Sequence, residues 1–270
     1  MDNCKSNANN TGDITAGSIK ILATSCKALI DGLDSGNQEA SSVLNKLKSG
    51  LSEIELQRAN KYRKPADTLR FAAGRTLVRR LLEASVSFKA LVFETNMIII
   101  NESTGGSKPS LTNASKALFP NVCDFNISHD GDWIMAGVTA QGVLGIDVAR
   151  VHCPENMSVK NYIAEFTYQL SPQEQDFLAK HSRQPLEDFY RIWTIKEAYL
   201  KAFGIGIAGS MELATISVSL SLDGNFVNVA VNGNQCALKF ALGTLSGGKY
   251  VYALASTVHC APSFDIVEIQ

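Results

Sequence analysis

The stretch FYRIWTIKEAYLKAFG, residues 189–204, places charged side chains where an amphipathic helix would bury its apolar face. Phe189, Trp193 and Leu200 recur at a helical period and mark that face. The charged residues that fall on or beside it are Lys196, Glu197 and Lys201. Burying an unpaired ion is costly, so these side chains must pair, reach the edge of a cleft or meet a charged ligand. A simpler alternative is an exposed i, i+4 pair between Glu197 and Lys201.

The composition is that of an ordinary globular protein, and it argues against two classes of partner. The chain has 270 residues, of which 45% are hydrophobic and 19% charged, enough for one large domain or two small ones. Its formal net charge of -1 creates no field that would attract nucleic acid or an anionic membrane. No apolar run approaches the roughly 20 residues that span a bilayer. We therefore expect no nucleic-acid or membrane partner, and any anion site must be a local cluster.

The cysteines and the N-terminal segment indicate a cytoplasmic protein. Six cysteines and four histidines show neither the spacing of a zinc site nor that of a disulfide framework, which favours a reducing compartment. Residues 1–18 are polar and lack an apolar core, so they do not resemble a signal peptide or a transit peptide. We predict that they form a loose tail.

Residues 19–140 are predicted to combine helices with a small sheet. The pattern predicts a strand over 19–24, helices around 38–48 and 52–63, an arginine-rich helix from about Pro65 to Leu82, and short strands near 91–100. A Gly/Ser/Pro loop follows. Residues 125–151 then read as three strands joined by Asp-Gly and Gln-Gly turns, which predicts an antiparallel meander.

Residues 141–270 are also predicted to combine helices with a small sheet. Ser171 is a predicted N-cap, with Pro172 at the first helical position and Glu174 closing a capping box, and the helix quoted above ends near Gly204. From about residue 215, apolar and polar residues alternate between DGN, NGN and SGG turns, which predicts a final antiparallel sheet. The fold class is therefore α+β, and we place the boundary of its two halves at 140/141. No convincing sequence repeat shows that the halves are alike.

Several chemical groups are weak signals when taken singly. Asp147 lies in the apolar strand VLGIDVARV and needs a cation, a hydrogen-bonding turn or a ligand. His129 ends a strand just before the Asp130–Gly131 turn, where a structural role is the more common one. Lys108, in GGSKPS, lacks the spacing of a phosphate-binding P-loop.

Taken together and in order, these segments resemble a known family. FNISH (125–129), GID (145–147) and WTIKEAYLK (193–201) resemble the three signatures of the 4′-phosphopantetheinyl transferases, N-x-S-H, G-[IV]-D and W-x-x-K-E-[AS]-x-x-K. The arginine-rich segment 58–82 and SKP (107–109) are similar to that family's coenzyme A-binding segment and its G-K-P element. The resemblance covers roughly residues 19–258 and is strongest to the large pseudodimeric group, which includes the surfactin-synthetase and aminoadipate-semialdehyde-dehydrogenase types.

The resemblance implies two similar α+β halves with coenzyme A and Mg²⁺ in the cleft between them. Phosphopantetheine would pass from coenzyme A to a serine of an apo-acyl or apo-peptidyl carrier protein, releasing 3′,5′-ADP. One chain would complete the site, so we expect a monomer. The implied catalytic residues are Asp147, Glu197 and Lys201, of which Asp147 and Glu197 hold the metal. The implied coenzyme A ligands are Arg58, Arg70, Lys108, Ser128, His129 and Lys201.

The sequence departs from the family pattern at two positions. Residue 58 is Arg where the surfactin type has Lys, which keeps the charge and changes its geometry. Ala149 stands where many bacterial members carry a second carboxylate after G-[IV]-D. We hypothesise that Asp130 compensates as a third metal ligand, directly or through water; the alternative is that Asp130 only begins the Asp-Gly turn.

Two other function classes remain open at the level of sequence. A metal-dependent phosphohydrolase would use the same acidic and basic residues, although it has no need of a coenzyme A-binding arginine helix. A non-catalytic carrier-protein binding module is the second, although the joint presence of Asp147, Glu197 and Lys201 argues against it.

Overall fold

The computed structural model describes residues 17–85, 100–101, 108–206, 212–221, 227–259 and 261–269. The helices are α1 Lys27–Asp34, α2 Gln38–Ser49, α3 Glu53–Ala59, α4 Pro65–Glu83, α5 Asn113–Leu118, α6 Val159–Ala164, α7 Pro172–Lys180 and α8 Pro185–Phe203. The strands are β1 Ile19–Ser25, β2 Ile100–Asn101, β3 Ser110–Leu111, β4 Asp124–Asp130, β5 Trp133–Thr139, β6 Leu144–Arg150, β7 Ile216–Leu220, β8 Val227–Val231, β9 Asn234–Gln235, β10 Lys239–Leu245, β11 Tyr250–Ser256 and β12 Ser263–Ile266. The predicted tail and the predicted strands near 91–100 lie outside the described residues, apart from their last one or two positions. Within those ranges, no helix is long and apolar enough to cross a membrane.

Two antiparallel three-stranded units with the same strand order form the centre of the α+β fold. In the first half the order is β1-β5-β4, with β12 added in parallel outside β1. In the second half the order is β6-β11-β10. A 19-residue helix packs on each unit, α4 on the first and α8 on the second. The expectation of two similar halves is thus confirmed by topology, although no sequence repeat indicates it.

Two predictions about the sheets need correction. The predicted meander over 125–151 is right for β4 and β5, which form a hairpin, but β6 pairs with β11 instead of β5. The predicted final sheet is also two separate sheets, because β7, β8 and β9 form one and β10 joins β11 and β6 in another. Alternating polarity identifies each strand, but it does not say which strand will be its neighbour.

A buried capping glutamate recurs in both halves. Ser52 and Glu55 form a capping box at α3, and the fully buried Glu55 carboxylate also pairs with Arg79, on α4, at 2.5 Å. Ser171 and Glu174 form the predicted capping box at α7, and Glu174 pairs with Lys196, on α8, at 2.7 Å. Each glutamate therefore caps a short helix and fixes it to the long helix that follows.

Lys196 is one of the three charged residues that the sequence places on or beside the apolar face of α8. Only 1% of its side chain is exposed, and its ammonium group donates to Glu174 and to the carbonyl oxygens of Gln169 and Leu213. All three donors of the ammonium are thus used. Lys196 lies on the core face because its charge is paired and fully hydrogen-bonded there.

The two halves meet where β4 and β6, the edge strands of their sheets, run side by side. Side-chain oxygens of alternate β4 residues accept hydrogen bonds from alternate β6 backbone N–H groups. The pairs are Asp124 with Leu144 (2.8 Å), Asn126 with Ile146 (3.2 Å), Ser128 with Val148 (3.2 Å) and Asp130 with Arg150 (2.7 Å). We call these four bonds the seam ladder. They satisfy N–H groups that β6 would otherwise leave without partners at a sheet edge.

Apolar packing supports the seam ladder from one side. Ile21 from β1, Met135 from β5 and Ile146 from β6 belong to one buried cluster that joins the two sheets. The C-terminal strand adds a further connection, because β12 pairs with β1 and Arg80 donates to the carbonyl oxygen of Glu268. The halves are therefore held together by both polar and apolar contacts.

Lys196→Met tests the buried ion pair of the second half. The substitution removes the cation and leaves the Glu174 carboxylate buried without a counter-charge, which we expect to lower the free energy of unfolding by about 3–5 kcal/mol. Urea denaturation measures this loss, and the double variant Lys196→Met/Glu174→Gln should recover part of it. Lys180→Met, which removes an exposed lysine paired with Asp176 on α7, is the control and should leave stability nearly unchanged. An equally small effect of Lys196→Met would contradict a structural role for the pair.

Candidate active site

Gly145 allows helix α8 to lie directly against strand β6. A Cβ atom at this position would overlap the carbonyl oxygen of Ala198 and the backbone nitrogen of Ala202. Only glycine therefore permits this approach of a helix backbone to a strand. The approach brings Lys201, in the last turn of α8, to Asp147, two residues beyond Gly145 on β6.

Asp147 is a buried carboxylate with two partners at the seam. Its Oδ1 atom accepts from Lys201 Nζ at 2.6 Å and from Ser128 Oγ at 2.9 Å. Burial raises the pKa of Asp147, and the charge and hydrogen bonds of Lys201 and Ser128 oppose that shift. The cation that Asp147 needs is thus Lys201, and the alternative in which Lys201 forms an exposed pair with Glu197 is wrong.

The Ser128 hydroxyl joins β4, β6 and α8 at one point. It donates to Asp147 and accepts from Val148 N–H at 3.2 Å and from Lys201 Nζ at 2.9 Å. These three bonds use the one donor and two acceptor positions of a hydroxyl. Ser128 therefore belongs both to the seam ladder and to the charged cluster.

Glu197 brings a second carboxylate to this place and leaves one oxygen without a partner. Only 6% of the residue is exposed, and its buried Oε1 atom has no hydrogen-bond partner. Burial raises the pKa of Glu197 to about 7, with the Asp147 charge adding to the increase and Lys201 opposing it. Two neighbouring buried carboxylates, one with an unsatisfied oxygen, form a site suited to a hard cation such as Mg²⁺.

His129 and Arg70 lie at the turn that ends β4, and the charge of Lys201 reaches the His129 ring. Arg70 Nε donates to the carbonyl oxygen of Gly131 at 2.7 Å, and its Nη1 donates to Asp67 at 2.7 Å. Loss of water around the His129 ring and the charges of Lys201 and Arg70 lower the pKa of that imidazole. The positive charges of Lys201 and Arg70 thus both act on the His129 ring, and an anion placed beside that ring would be attracted by both charges.

Asp130 has a partner that neither sequence hypothesis included. Its Oδ2 atom accepts from Arg150 N–H, so it forms the last rung of the seam ladder in addition to preceding the turn. Among the described residues, no three histidine, cysteine, aspartate or glutamate side chains group closely enough to hold a metal ion. The structure does not gather Asp130 with Asp147 and Glu197, and a role for it at a metal stays a prediction.

The other two predicted coenzyme A ligands lie elsewhere, Lys108 along the seam and Arg58 in the last turn of α3. The Lys108 ammonium pairs with Asp124 and donates to the carbonyl oxygen of Leu144 at 2.7 Å, beside the first rung of the ladder. The Arg58 guanidinium lies 5.7 Å from the centre of the Phe71 ring. The structure therefore does not place Lys108 and Arg58 in the cluster of Asp147, Ser128 and Lys201.

Sequence reasoning missed the role of Asn126. Its Oδ1 atom accepts from Ile146 N–H, and its Nδ2 donates to the carbonyl oxygen of Lys201 at 3.4 Å. One buried amide thus fixes β4 to both β6 and the end of α8. The signal was present in DFNISHD, where polar residues alternate through a strand that apolar residues would otherwise fill.

Comparison with known proteins places both halves in one family. Residues 143–255 match the model of the 4′-phosphopantetheinyl transferase superfamily, and residues 38–141 match the model of the 4′-phosphopantetheinyl transferase N-terminal region. A phosphopantetheinyl transferase of Thraustochytrium sp. is 27% identical over 66% of this chain and 64% of its own length. The L-aminoadipate-semialdehyde dehydrogenase-phosphopantetheinyl transferase of Xenopus laevis is 27% identical over 61% of this chain and 53% of its own. A 4′-phosphopantetheinyl transferase of Bacillus pumilus is 27% identical over 76% and 77%. The chain thus spans between about half and two thirds of the first two relatives.

Gly145→Ala tests the close packing of α8 on β6. The new methyl group must push the helix away from the strand, so we expect a loss of stability of several kcal/mol and a weaker contact between Lys201 and Asp147. Gly233→Ala is the control, because a Cβ there has open space and only its backbone, with φ at +77°, is strained, at a cost of about 1–2 kcal/mol. Urea denaturation compares the two variants. A loss at Gly145 no larger than that at Gly233 would contradict the steric role.

The raised pKa of Glu197 predicts a pH-dependent stability in the metal-free protein. Between the ordinary glutamate pKa of 4.5 and about 7, the folded state holds a proton on Glu197 that the unfolded state has released, so stability falls as the pH rises through this window. In Glu197→Gln the side chain is neutral at every pH in this window, like the protonated glutamate. In chelator, we expect the variant to gain roughly 2–3 kcal/mol relative to the wild type between pH 4.5 and 7. Urea denaturation across this range provides the measurement, and subtracting the two curves cancels the groups they share. Parallel curves would contradict the shift.

Proposed function

The chain belongs to the 4′-phosphopantetheinyl transferase superfamily, and from this premise we propose that it transfers phosphopantetheine from coenzyme A to a serine of an apo-carrier protein. The reaction requires Mg²⁺ and releases 3′,5′-ADP. The observation that carries the proposal is the seam cluster, in which Asp147 of β6 and Glu197 of α8 present buried carboxylates beside Lys201, Ser128 and His129. A diphosphate under attack needs such a combination of oxygen ligands and cationic donors.

Asp147 and Glu197 would hold the metal. The unpartnered Oε1 atom of Glu197 supports this assignment, because a buried carboxylate oxygen without a donor is satisfied by a cation. Mg²⁺ is often bound by one or two carboxylates, with water and substrate phosphate oxygens completing its coordination, so Ala149 does not have to be replaced by a third carboxylate. When bound, the ion supplies charge neutralisation at the diphosphate.

The residues of α8 have two roles in the proposed reaction. The carrier serine oxygen attacks the β-phosphorus of coenzyme A, a new P–O bond forms, and the bond to the bridging oxygen of 3′,5′-ADP breaks. Glu197, or a water that it orients, takes the serine proton. Lys201 donates to the diphosphate and stabilises the charge that develops on the leaving group.

The remaining residues implied by the resemblance would bind the nucleotide. Arg70 keeps guanidinium donors beyond those given to Gly131 and Asp67, and we assign them, with Arg58, to the 3′-phosphate. Ser128 and His129 would meet the other phosphates. Lys108 would lie near the nucleotide, but its ammonium is already bound to Asp124, so we infer that it mainly supports the seam.

We also propose the substrates, the oligomeric state and the compartment of the enzyme. The proposed substrates are coenzyme A and an apo-acyl or apo-peptidyl carrier protein. Both halves of one chain contribute to the site, which supports a monomeric enzyme. Four cysteines, at positions 26, 123, 153 and 236, are free in the described structure, which suits a reducing cytoplasm.

Incubation with an apo-carrier protein, coenzyme A and Mg²⁺ tests the proposal. Mass spectrometry should show addition of phosphopantetheine to the carrier serine, and excess chelator should abolish it. Glu197→Gln should lower the rate by about 10²-fold or more, whereas Glu187→Gln, on the first turn of the same helix, should retain it. Hydrolysis of coenzyme A without carrier modification would instead indicate a phosphohydrolase, and carrier binding without reaction would indicate a binding module.

A further inference from the structure

Lys201 forms an ion pair with Asp147 in the absence of metal and substrate. We propose that Lys201 is a tethered counter-ion of the metal site, which neutralises Asp147 in the metal-free protein and which a divalent cation must displace. The inference rests on the proposed function, because it takes Asp147 and Glu197 as the metal ligands. It adds an exchange of cations that links metal binding to substrate binding.

The contacts of Lys201 support this role. Its ammonium lies 2.6 Å from Asp147 Oδ1 and 2.9 Å from Ser128 Oγ. The Asp147 residue is only 6% exposed, so its carboxylate cannot rely on water for compensation. The positive charge of Lys201 therefore compensates the Asp147 carboxylate in the folded, metal-free protein.

A metal ion and Lys201 cannot share the same oxygen. A carboxylate oxygen binds Mg²⁺ at about 2.0–2.1 Å. An ammonium that still contacted that oxygen would lie about 4 Å from the ion. A doubly and a singly charged cation at that distance repel each other strongly. Binding of the ion to Asp147 Oδ1 thus requires Lys201 to leave that atom.

The side chain of Lys201 is free to make that movement. It is 30% exposed, compared with 14% for Lys108 and 1% for Lys196, the other two lysines that neutralise carboxylates in the interior. Lys196 is also fixed by three acceptors. Of these three pairs, only that of Lys201 lies beside a second buried carboxylate with an unpartnered oxygen, Glu197 Oε1.

The released ammonium has a new acceptor when coenzyme A is present. Lys201 has a flexible four-carbon stem, so its charge can turn from Asp147 toward an anionic diphosphate in the cleft. The ion removes Lys201 from the carboxylate, and the diphosphate stabilises the displaced lysine. Metal and coenzyme A should therefore each tighten the binding of the other.

Calorimetric titration with Mn²⁺, without coenzyme A and at about pH 8, tests the competition. The pH keeps protons from taking the place of the lysine. Lys201→Met removes the competing charge at similar length, so we expect it to bind Mn²⁺ about ten-fold or more tightly than the wild type. Lys201→Arg keeps the charge and should not show this gain. Lys108→Met, which removes the lysine beside the first rung of the ladder, is the matched control and should leave Mn²⁺ affinity unchanged.

A measurement on the wild-type protein decides the question if Lys201→Met does not fold. Acylation of lysines with a water-soluble amine reagent, read by mass spectrometry, reports how available each ammonium is. Mg²⁺ without coenzyme A should increase the acylation rate of Lys201 and leave that of Lys108 unchanged. Unchanged or slower acylation of Lys201, or Mn²⁺ affinity in Lys201→Met no higher than in the wild type, overturns the proposal. If the wild-type protein nevertheless transfers phosphopantetheine, only the counter-ion role has failed. Absence of both transfer and metal binding in the wild type would reject the proposed function itself.

Discussion

The seam ladder between β4 and β6 is the constraint on which the candidate site depends. Side chains such as those of Asp124 and Asn126 stand between the two strands, so the strands lie farther apart than the roughly 4.8 Å of backbone pairing. The two sheets are thereby fixed in register without becoming one sheet. A polar strip remains along their junction, and Ser128 and Asp147 face each other there. The residues that hold the halves together are thus adjacent to, or identical with, those proposed to act on substrate.

Helix α8 completes the site because its position is fixed at several points. Gly145 sets its distance from β6, Lys196 fixes it to the start of α7, and Asn126 holds its last turn. With the helix so constrained, Glu197 is buried beside Asp147 even though its Oε1 atom lacks a partner. An unsatisfied buried carboxylate is unfavourable for stability, and such groups concentrate where a protein binds ions or performs chemistry. At Glu197 this cost falls beside Asp147, on the seam between the two halves.

The recurring capping glutamates explain how similar halves arise from dissimilar sequences. Glu55 and Glu174 have equivalent positions before the two long helices, yet their cationic partners differ in type and position, Arg79 in one half and Lys196 in the other. Either cation can compensate the charge of a buried carboxylate when its charged group reaches that carboxylate. Physical equivalence is therefore preserved where residue identity is not, and a search for sequence repeats does not detect it.

The sequence by itself determined the local elements and the chemical types at the site. The helical period predicted α4 and α8, the Ser171 capping box predicted the start of α7, and three ordered motifs indicated the family. These features depend on residues a few positions apart, whose energies act in every conformation of the chain. Tertiary structure alone decided that β6 pairs with β11, and that Lys201 pairs with Asp147 instead of Glu197. Such choices depend on contacts between residues far apart in the chain, and burial makes them strong only once the two halves have met.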